Sequence, residues 1–199
     1  IDLGMGNPDL PTPPHIVEKL VETAQKPKTN RYSASRGIPG LRRAHVNYYK
    51  RRFGVTLDAD REVIATLGSK EGFVNLAQAM TAPGDVILAP NPSYPIHSFG
   101  FIIAGATVQH VRALSPEEYL SGLGRAVRYC VPAPTAMVLC YPGNPTSHVV
   151  DLDFYKEAVA FARKHELWIL SDLAYNEIYF GDPPPSILQV DGAKDICVE

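Results

Sequence analysis

The stretch AMVLCYPGNPTS at residues 136–147 is an uninterrupted apolar run followed by a loop rich in proline and glycine. VILAPNPSYP at residues 86–95 is likewise an apolar run followed by a loop rich in proline. A short apolar run bounded by turn residues is typical of a buried strand. We predict six strands on this basis, at Val63–Leu67, Val86–Ala89, Ala106–Val111, Ala136–Tyr141, Leu167–Leu170 and Ile196–Val198.

Segments with helical periodicity separate most of these strands, near residues 70–82, 94–103, 116–128 and 152–165. Alternation of helices with nearly continuous apolar strands predicts an α/β fold, a three-layer α/β/α arrangement around a mostly parallel sheet. Before it, residues 1–14 are rich in glycine and proline and are predicted to form an extended arm. A helix is predicted after Pro14, and another over Pro39–Phe53.

Composition excludes several classes of protein. Of the 199 residues, 45% are apolar and 20% are charged, which is ordinary for a globular chain. The net charge of −2 offers no basic excess for nucleic acid, and no apolar run approaches the roughly 20 residues of a membrane span. Three cysteines without metal-like or redox-like spacing, and no HExxH motif, predict no metal site and a reducing, cytoplasmic compartment.

Polar residues follow four predicted strands at their carboxyl ends, where open α/β sheets bind ligands. GSKEG at residues 68–72 opens a helix, whose free N–H groups suit an anion. Tyr94 and Asn144 each follow a further strand, and Asp172 with Tyr175 follows another. This set predicts a site for a planar, phosphorylated, nitrogen-containing ligand.

Each feature also has an ordinary structural explanation, which the residues alone leave open. Ser69 suits the N-cap of a simple helix start. Tyr94 and Asn144 stand beside prolines, where turn residues are common. Asp172 suits an N-cap for the next turn, although a carboxylate that ends an apolar strand is costly to bury without a partner.

Six motifs in order along the chain resemble those of the fold-type I, pyridoxal-phosphate-dependent aminotransferases of class I and II. They are MGNPDLPTP at 5–13, NRYSASRGIPGLRRA at 30–44, GSKEG at 68–72, PNPSYP at 90–95, YPGNPTS at 141–147 and SDLAYNEIYF at 171–180. Within that family the chain is most similar to the branch of bacterial alanine (glutamate–pyruvate) aminotransferases and LL-diaminopimelate aminotransferases.

The resemblance implies a role for each matching residue toward pyridoxal 5'-phosphate. Ser69 and Lys70 match residues that hold the phosphate, and Tyr94 matches the aromatic side chain that stacks on the pyridine ring. Asn144 and Tyr175 match the donors to the oxygen on that ring.

Three further roles are implied in the same way. Asp172 matches the carboxylate that keeps the pyridine nitrogen protonated, so that the cofactor acts as an electron sink; with Tyr175 it forms the expected catalytic pair. Tyr32 matches a tyrosine that reaches the phosphate of the neighbouring subunit, which implies a homodimer. Gly6 matches an arm glycine beside the substrate carboxylate, where a side chain would obstruct. Residues 1–54 then belong to the small domain and dimer contacts, and residues 55–199 to the cofactor-binding domain.

The family's Schiff-base lysine has no match in this sequence. The lysines present are Lys19, Lys26, Lys28, Lys50, Lys70, Lys156, Lys164 and Lys194, and none stands in the family's lysine context. That lysine attaches the cofactor covalently and also acts as general acid and base. We therefore expect this chain to be an N-terminal fragment that ends before the lysine and is inactive on its own.

The implied reaction moves an amino group between an amino acid, alanine first, and a 2-oxo acid such as 2-oxoglutarate. A C–S lyase of the same fold shares the asparagine, aspartate and tyrosine set, so this alternative stays open. A non-catalytic module that binds pyridoxal phosphate without a lysine is the third interpretation.

Overall fold

A computed structural model describes residue 4 and residues 6–199. The chain divides into two compact units, Ile1–Ser35 and Arg36–Glu199. In the first unit, helix α1 (Pro14–Ala24) begins at Pro14, which confirms the helix expected there. The start of the arm, at residues 1–3 and 5, lies outside the described residues. The domain boundary at residue 54 stays a prediction.

The second unit contains five helices and a five-stranded parallel sheet. The helices are α2 (Pro39–Phe53), α3 (Ser69–Met80), α4 (Ile96–Ile103), α5 (Pro116–Tyr129) and α6 (Leu152–Lys164). The strands are β1 (Val86–Asn91), β2 (Thr107–Arg112), β3 (Pro134–Cys140), β4 (Trp168–Asp172) and β5 (Cys197–Val198), in the order β2-β1-β3-β4-β5. All pairings are parallel, so the predicted class of sheet is confirmed.

Successive side chains of the strands enter two separate cores, because a strand alternates its faces. On β3, Met137 packs in one core with Tyr119 of α5 and Phe154 of α6. Its neighbour Val138 packs in the other core, with residues of α3 and α4 such as Phe101. Two helical layers therefore cover the two faces, as the continuous apolar runs predicted.

The predicted strand Val63–Leu67 is wrong. These residues are irregular, and the one backbone hydrogen bond seen there joins the N–H of Ala65 to the carbonyl of Arg36. A strand requires a ladder of such bonds to a neighbouring backbone, and here the described residues offer only the single bond to Arg36. Ile64 and Leu67 consequently stay exposed, Leu67 by 92%.

The sheet brings distant loops to one edge. Parallel pairing places Cys140, the last residue of β3, opposite Asp172, the last residue of β4. The loops that follow β1, β3 and β4 therefore begin side by side, as expected for the carboxyl ends of parallel strands. In the described part of the chain, no helix is both long and apolar enough to cross a bilayer. The cysteines form no disulfide; Cys140 and Cys197 are buried and Cys130 is half-buried.

Candidate functional site

A cavity of about 230 Å³ lies at this edge of the sheet. Gly68, Cys140 and Ala174 contribute to its lining. The other lining residues are the six that the sequence predicted for this unit, namely Ser69, Lys70, Tyr94, Asn144, Asp172 and Tyr175. The fold thus gathers side chains from four separate segments into one cavity.

Asp172 ends β4 with both carboxylate oxygens engaged. Oδ2 lies 2.8 Å from Nε2 of His97, and Oδ1 accepts a 3.1 Å hydrogen bond from the N–H of Ala174. Burial acts to raise the pKa of Asp172, but His97 and the Ala174 N–H outweigh it and lower the pKa below its ordinary value. The site therefore contains a carboxylate that stays ionised although it is largely buried. The bond to Ala174 shows that the expected turn-capping contact coexists with the cavity position.

His97 is a site residue that the sequence reasoning missed. Its ring is fully buried, 5.2 Å from the ring of Phe73 and 6.1 Å from that of Tyr94. Nδ1 has no hydrogen-bond partner among the described residues. The sequence did offer a signal for His97, which lies three residues after Tyr94 near the start of a predicted helix. Side chains at that spacing on a helix are neighbours.

Asn144 and Tyr175, which both line the cavity, contact each other directly. Nδ2 of Asn144 donates a 3.2 Å hydrogen bond to the hydroxyl oxygen of Tyr175. The phenolic hydrogen of Tyr175 and the second amide hydrogen of Asn144 are then free to point elsewhere, since each group has a further donor to offer. The pair supplies two neighbouring donors at the end of the cavity reached by the loops after β3 and β4.

The remaining wall is the N-terminus of α3. Gly68 precedes the helix with a φ of 88°, which favours glycine, and Ser69 is the first helical residue. Ser69 is therefore not the N-cap, and the ordinary explanation for it is wrong. Free N–H groups of this first turn carry partial positive charge.

Lys70 adds a full charge beside that helix start. Its Nζ lies 5.5 Å from the centre of the Tyr94 ring, and a hydrogen bond with Tyr94 raises the pKa of Lys70. The amine is therefore kept as an ammonium ion, which attracts an anion and is not a nucleophile.

Gly6 and Tyr32 belong to the first unit, whereas the other six predicted residues belong to the second. The side chain of Tyr32 is fully exposed, and no described atom lies within 4 Å of where a Cβ on Gly6 would be. Their roles toward a neighbouring subunit and toward substrate stay predictions. The arm motif that contains Gly6 includes Met5, which lies outside the described residues.

Cys140 lies beneath the same cavity, and its Sγ is within 4.8 Å of ligand-type atoms of His97 and Asp172. Burial raises the pKa of the Cys140 thiol to about 12, so the thiol is protonated at neutral pH. The nitrogen of His97 that faces the cluster already contacts Asp172. The prediction of no metal site stays a prediction.

The residues present fit pyridoxal 5'-phosphate by their chemistry. An ionised carboxylate suits a pyridinium N–H, and paired amide and phenol donors suit a ring oxygen. A helix N-terminus with an adjacent ammonium group suits a phosphate.

The chain is similar along its whole length to known aminotransferases. A putative aminotransferase of Rhizobium meliloti, AatC, is 61% identical over the whole chain, and glutamate-pyruvate aminotransferase AlaC of Escherichia coli is 49% identical over the same span. The chain covers 49% and 48% of these two proteins, and so spans about half the length of the curated relatives it matches.

Among solved structures, apo-BacF from Bacillus subtilis superposes on 98% of the chain with a TM-score of 0.91 at 40% identity, and the match covers 52% of that protein. The family model that describes aminotransferases of class I and II matches residues 1–199. The chain therefore belongs to the class I and II aminotransferases, a family of enzymes whose cofactor is pyridoxal 5'-phosphate.

Proposed function

We propose that the full-length polypeptide carrying this chain transfers an amino group from an amino acid, alanine first, to a 2-oxo acid such as 2-oxoglutarate. The cavity carries this proposal, because it brings together six of the expected cofactor-binding side chains, one of which is an ionised carboxylate. The similarity to AlaC, a glutamate-pyruvate aminotransferase, supports alanine as the first donor to test.

The residues of the cavity have separable tasks in this reaction. When bound, pyridoxal phosphate supplies an electron sink for the bond that breaks at the substrate α-carbon. Asp172 holds a proton on the ring nitrogen, and Asn144 and Tyr175 orient the ring through its oxygen. Tyr94 packs against the ring, and Lys70 with the start of α3 holds the phosphate.

The donor preference is tested with a panel of amino acids and 2-oxoglutarate on the full-length polypeptide. We expect glutamate to form fastest with alanine, with LL-diaminopimelate next. A thiol and pyruvate released from a sulfur-containing amino acid, without glutamate formation, would instead indicate the C–S lyase. Absence of both reactions in a protein that binds the cofactor would indicate the non-catalytic module.

No lysine of residues 1–199 is expected to attach covalently to the cofactor. Lys70 is the one lysine that lines the described cavity, and it lies in the first turn of α3, where we assign it to the phosphate. The test is to incubate the 199-residue chain with pyridoxal phosphate, reduce with borohydride and map labelled peptides by mass spectrometry. Lys164, an exposed lysine at the end of α6, gives the background level of labelling. Labelling of Lys70 well above that level would contradict the assignment of Lys70 to the phosphate.

The homodimer and the cytoplasmic location belong to the same proposal. Tyr32 supports the dimer only through its match to the family motif. Its exposure in the described chain leaves the hydroxyl accessible to a second copy. Sedimentation of the full-length polypeptide tests the dimer.

A further inference from the structure

The carboxylate of Glu199, directly after β5, accepts hydrogen bonds from four donors. Oε1 accepts from the hydroxyl of Ser171 and from the N–H of Ile187, each at 3.2 Å. Oε2 accepts from the hydroxyl of Tyr49 at 3.2 Å and from the hydroxyl of Ser186. Burial raises the pKa of Glu199, and the four donors oppose that rise. Two bonds to each oxygen suit the deprotonated carboxylate, whereas a proton on either oxygen would displace one of these donors.

The donors lie at the two ends of one segment, residues 171–187. Ser171 directly precedes Asp172 on β4. Ser186 and Ile187 stand where the segment enters the 3-10 turn Ile187–Gln189. The hydroxyl of Ser186 also accepts from the N–H of Leu188, so this end is fixed within its own turn. Glu199 thus joins both ends of the segment through one side chain.

The same segment is also held from α2. Tyr49 of this helix donates to Glu199, and Arg52 contacts Glu177 in the middle of the segment at 3.0 Å. Tyr48 donates to the same Glu177 carboxylate. Glu177 is exposed, so its contacts stabilise the segment less than those of the more buried Glu199.

We propose that Glu199 is a positioning residue that holds Asp172 and Tyr175 in place by fixing the ends of segment 171–187. This inference rests on the proposed function of those two residues. At the β4 end of the segment Glu199 acts through Ser171, because a shift of the Ser171 backbone also moves the adjacent Asp172. Preorganisation of this kind requires that the supporting groups be locked by hydrogen bonds of their own.

The test replaces Glu199 by glutamine in the full-length polypeptide, because glutamine keeps the size and removes the charge. The control is Glu157→Gln, an exposed carboxylate on α6. We expect the affinity for pyridoxal phosphate to fall about tenfold in Glu199→Gln and to stay unchanged in the control. The ¹⁵N NMR signal of the pyridine nitrogen in labelled cofactor should move toward the unprotonated position in Glu199→Gln alone.

A purely structural role would give a different result. Lower thermal stability of Glu199→Gln with unchanged cofactor affinity and an unchanged pyridine nitrogen signal would overturn the proposal. If Glu199→Gln does not fold, Ser171→Ala removes a single donor and should give the same two changes, with an affinity loss of about threefold; unchanged values there would equally overturn it. Asp172→Asn separates the two proposals, since a nitrogen signal indifferent to that variant would contradict the proposed function itself.

Discussion

Replacement of Asp172 by asparagine in the full-length polypeptide is expected to lower kcat/KM for the amino donor by about 10² to 10³. Asparagine has almost the same shape but cannot hold a positive ring nitrogen by charge, so the transition state loses stabilisation. The cofactor should still bind, because Lys70, Asn144 and Tyr175 are unchanged. Steady-state kinetics with the preferred donor, together with a cofactor titration, measure both quantities.

The matched control for this variant is Asp153→Asn. Asp153 lies on α6, where its side chain is 82% exposed and pairs with Lys156 at 2.7 Å. An exposed pair of this kind contributes little to stability, and we expect wild-type kinetics. Turnover of Asp172→Asn within a factor of about three of wild type would remove Asp172 from the mechanism.

Replacement of His97 by phenylalanine is expected to lower the free energy of unfolding by roughly 1.5–3 kcal/mol, because that is what a hydrogen bond to a charged group contributes. The variant removes the 2.8 Å contact to Asp172 and leaves the carboxylate with the Ala174 N–H. Phenylalanine suits the site otherwise, because the imidazole already packs against Phe73. Denaturant unfolding of the variant measures the loss, and exposed His110 on β2, replaced in the same way, is the control.

The same variant should also change how stability depends on pH. In the wild type the pKa of Asp172 is below its ordinary value, so its ionised form favours the folded state. This contribution to stability is complete above the pKa that Asp172 has in the unfolded chain. It is lost as the pH falls through the pKa that Asp172 has in the folded protein. Without His97 the opposing effect of burial raises the folded pKa, so the loss begins at higher pH. Parallel thermal unfolding curves for both proteins across the acidic range would contradict this account.

Much of the architecture follows from local patterns. The strands β1 to β4 and the helices lie close to their predicted positions. Apolar runs and helical periodicity show which side chains of a regular strand or helix are buried. The helix expected near residues 70–82 is α3, Ser69–Met80, and that near 116–128 is α5, Pro116–Tyr129. The cavity residues after β1, β3 and at the end of β4 were predictable for a related reason, since polar residues at the carboxyl ends of parallel strands meet at one edge of the sheet. Ser69 and Lys70 were predicted from a preceding strand that does not form, and they enter the cavity at the start of α3 instead.

The sequence by itself determined the α/β class, the order of the elements and the six cavity residues of the second unit. The tertiary structure alone decided three other features. Residues 63–67 form no strand, since a ladder needs a partner and not merely an apolar run. His97 pairs with Asp172, 75 positions further along the chain. Glu199 gathers donors from α2, β4 and the turn after it. Each of these depends on which distant backbone or side chain lies within hydrogen-bonding distance, and local periodicity carries no such information.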